Sequence, residues 1–334
     1  MPLPRLGGIR IAGTGMALPS RQVSNADIAQ TVDTTAEWIE QRTGIKSRFM
    51  SPAGQTTREL AVAAARQGLA NAGMTPSELD LVIVATMTPD MACPSTAALV
   101  VAELGAVPAG ALDISVACSG FVYGMNHAAA LIASGFYKTI LVIGAETMSR
   151  ITNFEDRRTC ILFGDAASCV ILTSKGAVPG QGCLHQSMNS DGRAWQELYL
   201  PTCDAHLPAG PNSTFNGKLG TLQMNGQEVF KFAVTTTQKA IEEALAASGV
   251  NVSELAMIVP HQSNFRILDL IRTRLELKPE QVYVNIDRYG NTSAASVGLC
   301  LHELMETKRL KQGDLVLFAA IGGGMAWTTS LWRL

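Results

Sequence analysis

The sequence lacks the features that mark membrane, secreted or nucleic-acid-binding proteins. Its formal net charge of -2 gives no general reason to bind nucleic acid or an anionic membrane. No apolar run approaches the roughly 20 residues that span a bilayer, so we expect no membrane span. The N-terminal segment "MPLPRLGGIRIAGTGMALP" is broken by Pro and Gly and lacks the apolar core of a signal peptide. We therefore expect a cytoplasmic protein.

Cysteine pairs and nucleotide-binding motifs are also missing. The seven cysteines are Cys93, Cys118, Cys160, Cys169, Cys183, Cys203 and Cys300. Their odd number and the lack of a Cys-x-x-Cys pair argue against a disulfide framework and a zinc site. "GTG" (13–15) lacks the third Gly of a dinucleotide fingerprint, "HELME" (302–306) is not His-Glu-x-x-His, and "GGG" (322–324) has no following Lys-Ser/Thr. We expect no metal.

The sequence does contain short, nearly uninterrupted apolar runs that are typical of strands buried on both faces. They are "LVIVAT" (81–86), "ILVIGA" (140–145), "CVILT" (169–173), "LAMIV" (255–259) and "LVLFAA" (315–320). Between them lie helical patterns such as 56–73 and 235–249, each ending at a Gly placed as a C-terminal stop. This alternation predicts an α/β fold.

The chain also repeats itself. "AGMTPSELDLVIV" (72–84) resembles "SGVNVSELAMIVP" (248–260), and "ILVIG" (140–144) resembles "LVLFA" (315–319). The offsets, 253 − 77 = 176 and 315 − 140 = 175, are nearly equal. We predict two related halves, 1–174 and 175–334, although ordinary similarity among α/β segments is the alternative. The Gly-, Pro- and Asn-rich stretch 201–220 is expected to be an exposed excursion, either a lid or a tolerated insertion.

Three polar residues follow predicted strands. Cys118 stands between "LDIS" and a helical pattern, His261 follows "LAMIV" in "IVPHQSN", and Asn291 follows a predicted strand "VYVNI" (282–286). Ligands of open α/β sheets collect at the carboxyl ends of strands, so these residues are candidates for one pocket. A thiol at a helix N-terminus is favoured as a thiolate. Each residue also has a structural interpretation, as a small buried thiol, a cap or a hydrogen-bond partner.

Longer motifs relate the chain to a known family. They are "DTTAEWIEQRTGIKSR" (33–48), "ACSGF" (117–121), "FGD" (163–165), "NGQEVFKFAV" (225–234), "PHQSNFRI" (260–267), "DRYGNTSAAS" (287–296) and "GGGMAW" (322–327). Over essentially its whole length the chain resembles the thiolase-fold condensing enzymes, most closely the β-ketoacyl-acyl carrier protein synthase III family, which starts fatty-acid synthesis. The resemblance implies two similar halves with stacked five-stranded mixed sheets, pseudo-twofold symmetry and a homodimer.

The resemblance also implies roles for individual residues. Cys118 is the nucleophile acylated by acyl-CoA, with His261 and Asn291 completing a triad and the backbone N–H groups of Cys118 and Gly323 forming an oxyanion hole. The residues implied to bind CoA and pantetheine are Thr34, Trp38, Arg42, Arg157, Met224, Gln227, Phe230 and Asn264. Lys231, Arg266 and Arg274 match the dock for an acidic carrier protein. Malonyl-acyl carrier protein is the implied second substrate, and no cofactor is implied beyond the CoA thioester.

Some positions depart from the family pattern. Ser263 replaces a small apolar residue, Thr328 replaces a Gly, and "FGDAAS" replaces "FGDGAG". Cys93 stands where acetyl-selective members carry Phe on a loop reaching the partner's acyl pocket, so we expect room for a longer or branched primer. Three alternatives to the housekeeping reaction therefore stay open. They are a natural-product enzyme with an unusual primer, acyl transfer without decarboxylation, and a non-catalytic scaffold.

Overall fold

The computed structural model describes residues 6–208 and 215–334. The first five residues of the N-terminal segment and the 209–214 part of the predicted excursion lie outside the described residues. Within the described ranges, no helix is both long and apolar enough to cross a membrane.

The described chain contains fourteen strands. They are β1 (Leu6–Gly7), β2 (Arg10–Ala17), β3 (Arg21–Ser24), β4 (Ser47–Met50), β5 (Leu81–Ala85), β6 (Gly110–Ile114), β7 (Thr139–Glu146), β8 (Ala166–Thr173), β9 (Gly182–Ser190), β10 (Leu198–Tyr199), β11 (Gln223–Met224), β12 (Leu255–Pro260), β13 (Leu315–Gly322) and β14 (Ala326–Arg333). The five predicted apolar runs all coincide with strands of this set, except that Thr86 of the run 81–86 lies one residue beyond β5.

Ten α-helices connect and cover these strands in the described ranges. They are α1 (Asn25–Ile28), α2 (Ala36–Thr43), α3 (Thr57–Ala72), α4 (Thr96–Leu104), α5 (Gly120–Ala133), α6 (Arg157–Cys160), α7 (Gly226–Ser248), α8 (Phe265–Arg274), α9 (Ile286–Tyr289) and α10 (Ser296–Glu306). The start of α3 is a capping box in which Thr56 and Glu59 satisfy each other's backbone N–H groups. Both α3 and α7 end at a left-handed glycine, Gly73 and Gly249.

Two five-stranded mixed sheets form the framework. The first has the order β2-β8-β7-β5-β6, with β5 parallel to β6 and β7 and the remaining pairs antiparallel. The second has the order β1-β9-β14-β13-β12, with β12 parallel to β13 and the remaining pairs antiparallel. The core strands β7 and β13 begin 176 residues apart (139 and 315), which agrees with the two sequence offsets of 176 and 175 to within one residue.

Helices α5 and α10 lie between the two sheets. One buried apolar cluster contains Phe121 and Met125 of α5, Leu301 of α10, Val142 of the first sheet and Phe318 of the second. Separate clusters join α3 and α4 to the outer face of the first sheet, and α7 and α8 to the outer face of the second. The result is five alternating layers of helix and sheet, in which the starts of α5 and α10 meet at the centre.

Two details differ from the sequence expectations. The predicted strand "VYVNI" is reduced to a single bridge between Val282 and Ile258. The side chain of Gln262 bonds the backbone groups that a neighbouring strand would otherwise bond. It donates to the Tyr283 carbonyl and accepts from the Asn285 N–H. Helix α7 begins at Gly226, nine residues before the predicted segment, and its added turns reach the functional cavity.

Candidate active site

One cavity of about 730 Å³ opens at the carboxyl ends of the central strands. Residues one or two positions beyond four of these strands line it: Met87 after β5, Met148 after β7, His261 after β12 and Gly323 after β13. Cys118 and Asn291 line the same cavity, so the structure brings the three predicted triad residues together. Strand carboxyl ends are the usual ligand sites of α/β sheets, as the sequence analysis expected.

Cys118 lies in a tight turn that leads into α5. The turn is the 3-10 helix Ala117–Ser119, and Ala117 has a φ of 45°, which is uncommon for a residue with a side chain. The glycine loop after β13 presses against this turn. A Cβ added at Gly322 would lie 3.0 Å from the backbone N of Cys118 and 2.7 Å from the Val116 carbonyl oxygen. Only a glycine brings this loop so close to the cysteine.

Cys118 is 7% exposed, and its thiol hydrogen-bonds the Ser293 hydroxyl at 3.4 Å. Burial raises its pKa to about 12, and the nearby Glu146 carboxylate raises this pKa further, while the Ser293 hydrogen bond lowers it. The thiol is therefore protonated at neutral pH. The expectation that the helix start would favour a thiolate is outweighed by desolvation.

His261 directly continues β12, with its backbone N–H donating to the Ala319 carbonyl at 2.8 Å. Its Nδ1 lies 2.7 Å from the Ser296 hydroxyl at the start of α10. Burial lowers the pKa of His261 to about 3, so the ring is neutral at physiological pH. Because a hydroxyl both donates and accepts, Ser296 is compatible with a proton on either ring nitrogen.

Asn291 is held by its backbone and by its own side chain. Its N–H donates to the Leu162 carbonyl and its carbonyl accepts from the Gly164 N–H, at 2.9 and 3.0 Å. The side-chain oxygen accepts from the Ser293 N–H at 2.9 Å. This bond orients the amide, and the NH₂ group is left as the donor end of the side chain.

The mouth of the cavity carries the predicted aromatic and cationic residues. The guanidinium carbons of Arg42 and Arg157 lie 5.5 and 5.1 Å from the centre of the Trp38 ring. Asn264, which caps α8, donates its side-chain N–H to the Arg42 carbonyl. Arg158 also lines the mouth, although the sequence analysis did not select it.

The remaining predicted contacts divide into two groups. Met224 and Phe230 line the cavity, whereas Gln227 and Thr34 do not, although Gly226 and Val229, neighbours of Gln227 in α7, do. Cys93 is exposed on the loop before α4 and does not line the cavity of its own chain. Its predicted role in a partner's pocket stays a prediction.

The three predicted docking cations lie on the outer surface of α7 and α8. Lys231, Arg266 and Arg274 are all exposed. Arg266 stacks over Phe230 with 5.9 Å between guanidinium carbon and ring centre, and Arg274 donates to Gln238 of α7. Through Phe230, the positive surface is continuous with the mouth of the cavity.

Sequence reasoning missed the inner wall of the cavity and a buried carboxyl group. The apolar wall next to the thiol consists of Met87, Met148, Phe163, Leu198, Leu200 and Leu222. Glu146 ends β7 and lies fully buried behind Ser293. Only the "FGD" motif gave a signal for any of these residues, since they come from separate segments with no common spacing.

A buried cysteine at the start of a central helix, facing His and Asn in a doubled five-layer α/β fold, defines a thiolase-like condensing enzyme. Comparison with known families agrees. The family model of the 3-oxoacyl-[acyl-carrier-protein] synthase III C-terminal region matches residues 245–334, and the model of 3-oxoacyl-[acyl-carrier-protein] synthase III matches residues 112–192.

Individual relatives extend the match to nearly the whole chain. Beta-ketoacyl-[acyl-carrier-protein] synthase III of Caldanaerobacter subterraneus is 45% identical over 322 residues, 96% of each chain. That of Xanthomonas campestris pv. campestris strain ATCC 33913 is 44% identical, over 97% of this chain and 98% of its own. The crystal structure of the Aquifex aeolicus synthase III has a TM-score of 0.90 at 40% identity, covering 98% of this chain and 100% of that one.

The chain belongs to the 3-oxoacyl-[acyl-carrier-protein] synthase III family. It is an acyltransferase with the thiolase fold. The relatives at 44 to 45% identity carry the name of the synthase itself, so the specialised alternatives are not favoured.

Proposed function

We propose that Cys118 takes an acyl group from acyl-CoA and condenses it with malonyl-acyl carrier protein. The products are a β-ketoacyl thioester, CO₂ and CoA, and the reaction starts fatty-acid synthesis. The observation that carries this proposal is the meeting of Cys118, His261 and Asn291 at the base of one cavity whose mouth is cationic.

In the first half-reaction the sulfur of Cys118 attacks the thioester carbonyl. The thiol loses its proton, and negative charge develops on the carbonyl oxygen. The backbone N–H groups of Cys118 and Gly323 are the proposed donors to this oxygen, and one such donor typically contributes about 3 kcal/mol to the transition state. The close packing of Gly322 against the cysteine turn supports this arrangement. Covalent capture releases CoA and divides one difficult step into two.

In the second half-reaction the malonyl thioester loses CO₂ and leaves an enolate. Neutral His261 and the NH₂ group of Asn291 are the proposed donors to the enolate oxygen. The low pKa of His261 supports this role, because a neutral ring donates without carrying charge. The enolate then attacks the acyl carbon on Cys118. Neither half-reaction needs an oxidant or a reductant, so we propose that no cofactor is needed beyond the substrates.

The two substrates bring negative charge, and the cations of the surface suit them. We propose that Trp38, Arg42 and Arg157, with Thr34 nearby, hold the CoA nucleotide. Met224, Phe230, Asn264 and Gln227 are proposed to guide the pantetheine arm. Lys231, Arg266 and Arg274 are proposed to dock the acidic carrier protein, because exposed cations steer an oppositely charged partner.

We also propose a homodimer and a cytoplasmic location. Strand β6 is the edge of the first sheet, and its residues Ala111 and Leu112 are exposed, which suits pairing with a second copy. All seven cysteines are free, as expected in a reducing compartment. The division into halves at 174/175 stays a proposal, and β1 crosses it by joining the second sheet.

Intact-mass measurement of the protein with a panel of acyl-CoAs, followed by malonyl-acyl carrier protein, tests the function. We expect an acyl adduct on the Cys118 peptide, then CO₂ release and loss of the adduct. Asn291→Ala should still acylate but lose condensation by roughly 100-fold or more. An adduct that never leads to CO₂ release would indicate acyl transfer alone, and no adduct with any acyl-CoA would support a scaffold.

A further inference from the structure

Behind the cysteine lies a chain of hydrogen bonds that the reaction described above does not use. The Cys118 thiol donates to the Ser293 hydroxyl at 3.4 Å, and this hydroxyl donates to Glu146 Oε1 at 3.0 Å. All three side chains are buried, with Ser293 and Glu146 at 0% exposure. Among the described residues, the thiol hydrogen-bonds Ser293 rather than His261 or Asn291.

The carboxylate of Glu146 is surrounded by donors. The loop after β5 supplies the Thr88 hydroxyl at 2.6 Å, the Thr86 hydroxyl at 3.3 Å and the Met87 N–H at 3.2 Å. The turn before α10 supplies Ser293. These neighbours are uncharged, and the titratable group that faces Glu146 through Ser293 is Cys118. Burial outweighs the donors and raises the pKa of Glu146 to about 7, so the carboxyl can take up or release a proton near neutral pH.

Ser293 is fixed in the position that joins the two groups. Its φ of 48° lies in the left-handed region, and its N–H is bonded to the Asn291 side chain. This backbone conformation is unfavourable for a residue with a side chain and persists only where surrounding contacts impose it. The hydroxyl is thereby held between the sulfur and the carboxylate.

His261 is poorly suited to take the proton of the thiol. Its low pKa makes the imidazolium unfavourable in this buried site. Its role as a donor to the enolate requires a proton on Nε2, with Nδ1 accepting from Ser296, and that tautomer has no free lone pair for the thiol proton. His261 could accept this proton only by changing its tautomer between the two half-reactions, whereas a carboxylate accepts it with the His261 tautomer unchanged.

We propose that Ser293 and Glu146 form a proton relay for Cys118. This inference rests on the proposed function and adds a step to it. As the sulfur–carbon bond forms, the S–H proton passes to Ser293 Oγ and the hydroxyl proton of Ser293 passes to Glu146. CoA leaves as a thiolate and takes its proton from solvent, the one proton that the overall condensation consumes. When condensation expels the Cys118 thiolate, the relay runs in reverse and Glu146 returns the proton.

The relay predicts a specific pH profile for Cys118 that needs no acyl-CoA. The probe is iodoacetamide, with alkylation of each cysteine peptide followed by mass spectrometry on the full-length protein. In the parent, loss of one proton from the coupled Cys118–Glu146 pair should make the Cys118 rate rise to a plateau above about pH 7. In Glu146→Gln the rate should instead keep rising by about tenfold per pH unit, without a plateau, as for an isolated thiol. The exposed Cys93 and Cys203 are internal controls whose profiles should not change.

Further variants separate a relay from a merely structural role. Ser293→Ala should abolish the plateau as Glu146→Gln does, and the double variant should be no slower than either single variant, because the two residues act in series. Thr86→Val removes one donor to Glu146 but leaves the relay intact, so the plateau should persist with its midpoint shifted to higher pH.

The outcomes are distinct. A parent without the plateau, or a folded Glu146→Gln that keeps it, would overturn the relay, and the parent profile does so even if the variants fail to fold. A carboxylate that only clamps the loop Thr86–Thr88 would lower the thermal midpoint of Glu146→Gln without changing the Cys118 profile. If Cys118 shows the relay profile but accepts no acyl group, the proposed function fails and the relay stands.

Discussion

The starts of α5 and α10 share one backbone conformation but carry different side chains. Each begins with a 3-10 turn whose first residue has a positive φ, Ala117 at 45° and Ser293 at 48°, and the helix follows this turn. The two residues lie 176 positions apart (293 − 117). At the next position the first half carries Cys118 and the second carries Ala294. The same turn thus presents a thiol in one half and a methyl group in the other.

The strand ends differ in the same complementary way. Strand β7 ends at Glu146 and β13 ends at Gly322, again 176 positions apart. The buried carboxylate of Glu146 in the first half acts on the Cys118 thiol. Gly322 in the second half packs against the same turn because it has no side chain. Beyond β12 stands His261, whereas the matching position in the first half is the core residue Ala85. Equivalent positions of the two repeats therefore carry different side chains, and these side chains meet around the Cys118 turn.

Moving the cysteine from position 118 to the matching position 294 should have the largest effect on the condensation rate. Cys118→Ala should lower condensation by roughly 10⁴-fold or more, because the covalent intermediate cannot form. Adding Ala294→Cys should not restore an acyl adduct, since position 294 is fully buried and does not line the cavity. Intact mass with acyl-CoA measures both. An adduct at position 294 of a folded double variant would contradict the distinction between the two turns.

Gly322→Ala should damage catalysis more than stability. The added Cβ would lie within 3.0 Å of two backbone atoms of the cysteine turn and displace the proposed oxyanion donors. Loss of one such donor costs about 100- to 1,000-fold in kcat. Gly192→Ala is the matched control, because a Cβ there meets nothing within 4 Å. Equal kcat values for the two variants would show that the loop does not position these donors.

His261 should make the fold sensitive to acid. Its folded pKa of about 3 lies below the ordinary value of 6.5, so the unfolded chain binds more protons between these values and stability falls as the pH falls. Between pH 7 and pH 5 this contribution is about 2 kcal/mol of unfolding free energy. Urea unfolding of the parent and of His261→Asn at both pH values measures it. Identical pH dependence in the two proteins would place the charged imidazolium in contact with solvent.

Cys93→Phe should have the smallest effect. A larger side chain on this loop should favour acetyl-CoA over longer acyl-CoAs by several-fold, if the loop reaches the partner's cavity in the proposed homodimer. Relative acylation rates across an acyl-CoA panel check this expectation. Since Cys93 is exposed and outside the cavity of its own chain, a monomeric variant should show no shift.

Much of the framework could be predicted because it depends on local pattern. Apolar runs marked β5, β7, β8, β12 and β13, and glycines marked the ends of α3 and α7. The repeat at an offset near 176 predicted paired elements, and residues beyond strand ends predicted the cavity. The prediction of a strand at "VYVNI" was wrong, because the Gln262 side chain makes the hydrogen bonds that a neighbouring strand would make. No local sequence pattern shows that a side chain will do this.

The sequence by itself predicted five of the strands, the ends of two helices, the internal repeat and the three polar residues Cys118, His261 and Asn291. Only the tertiary structure decided the protonation states of Cys118 and His261, because desolvation depends on what covers a group and not on its neighbours in the chain. The contacts of Glu146 with Thr88, Ser293 and, through it, Cys118 join segments 58 and 147 residues apart. Contacts between segments so far apart in the sequence form only once the sheets have packed on α5 and α10.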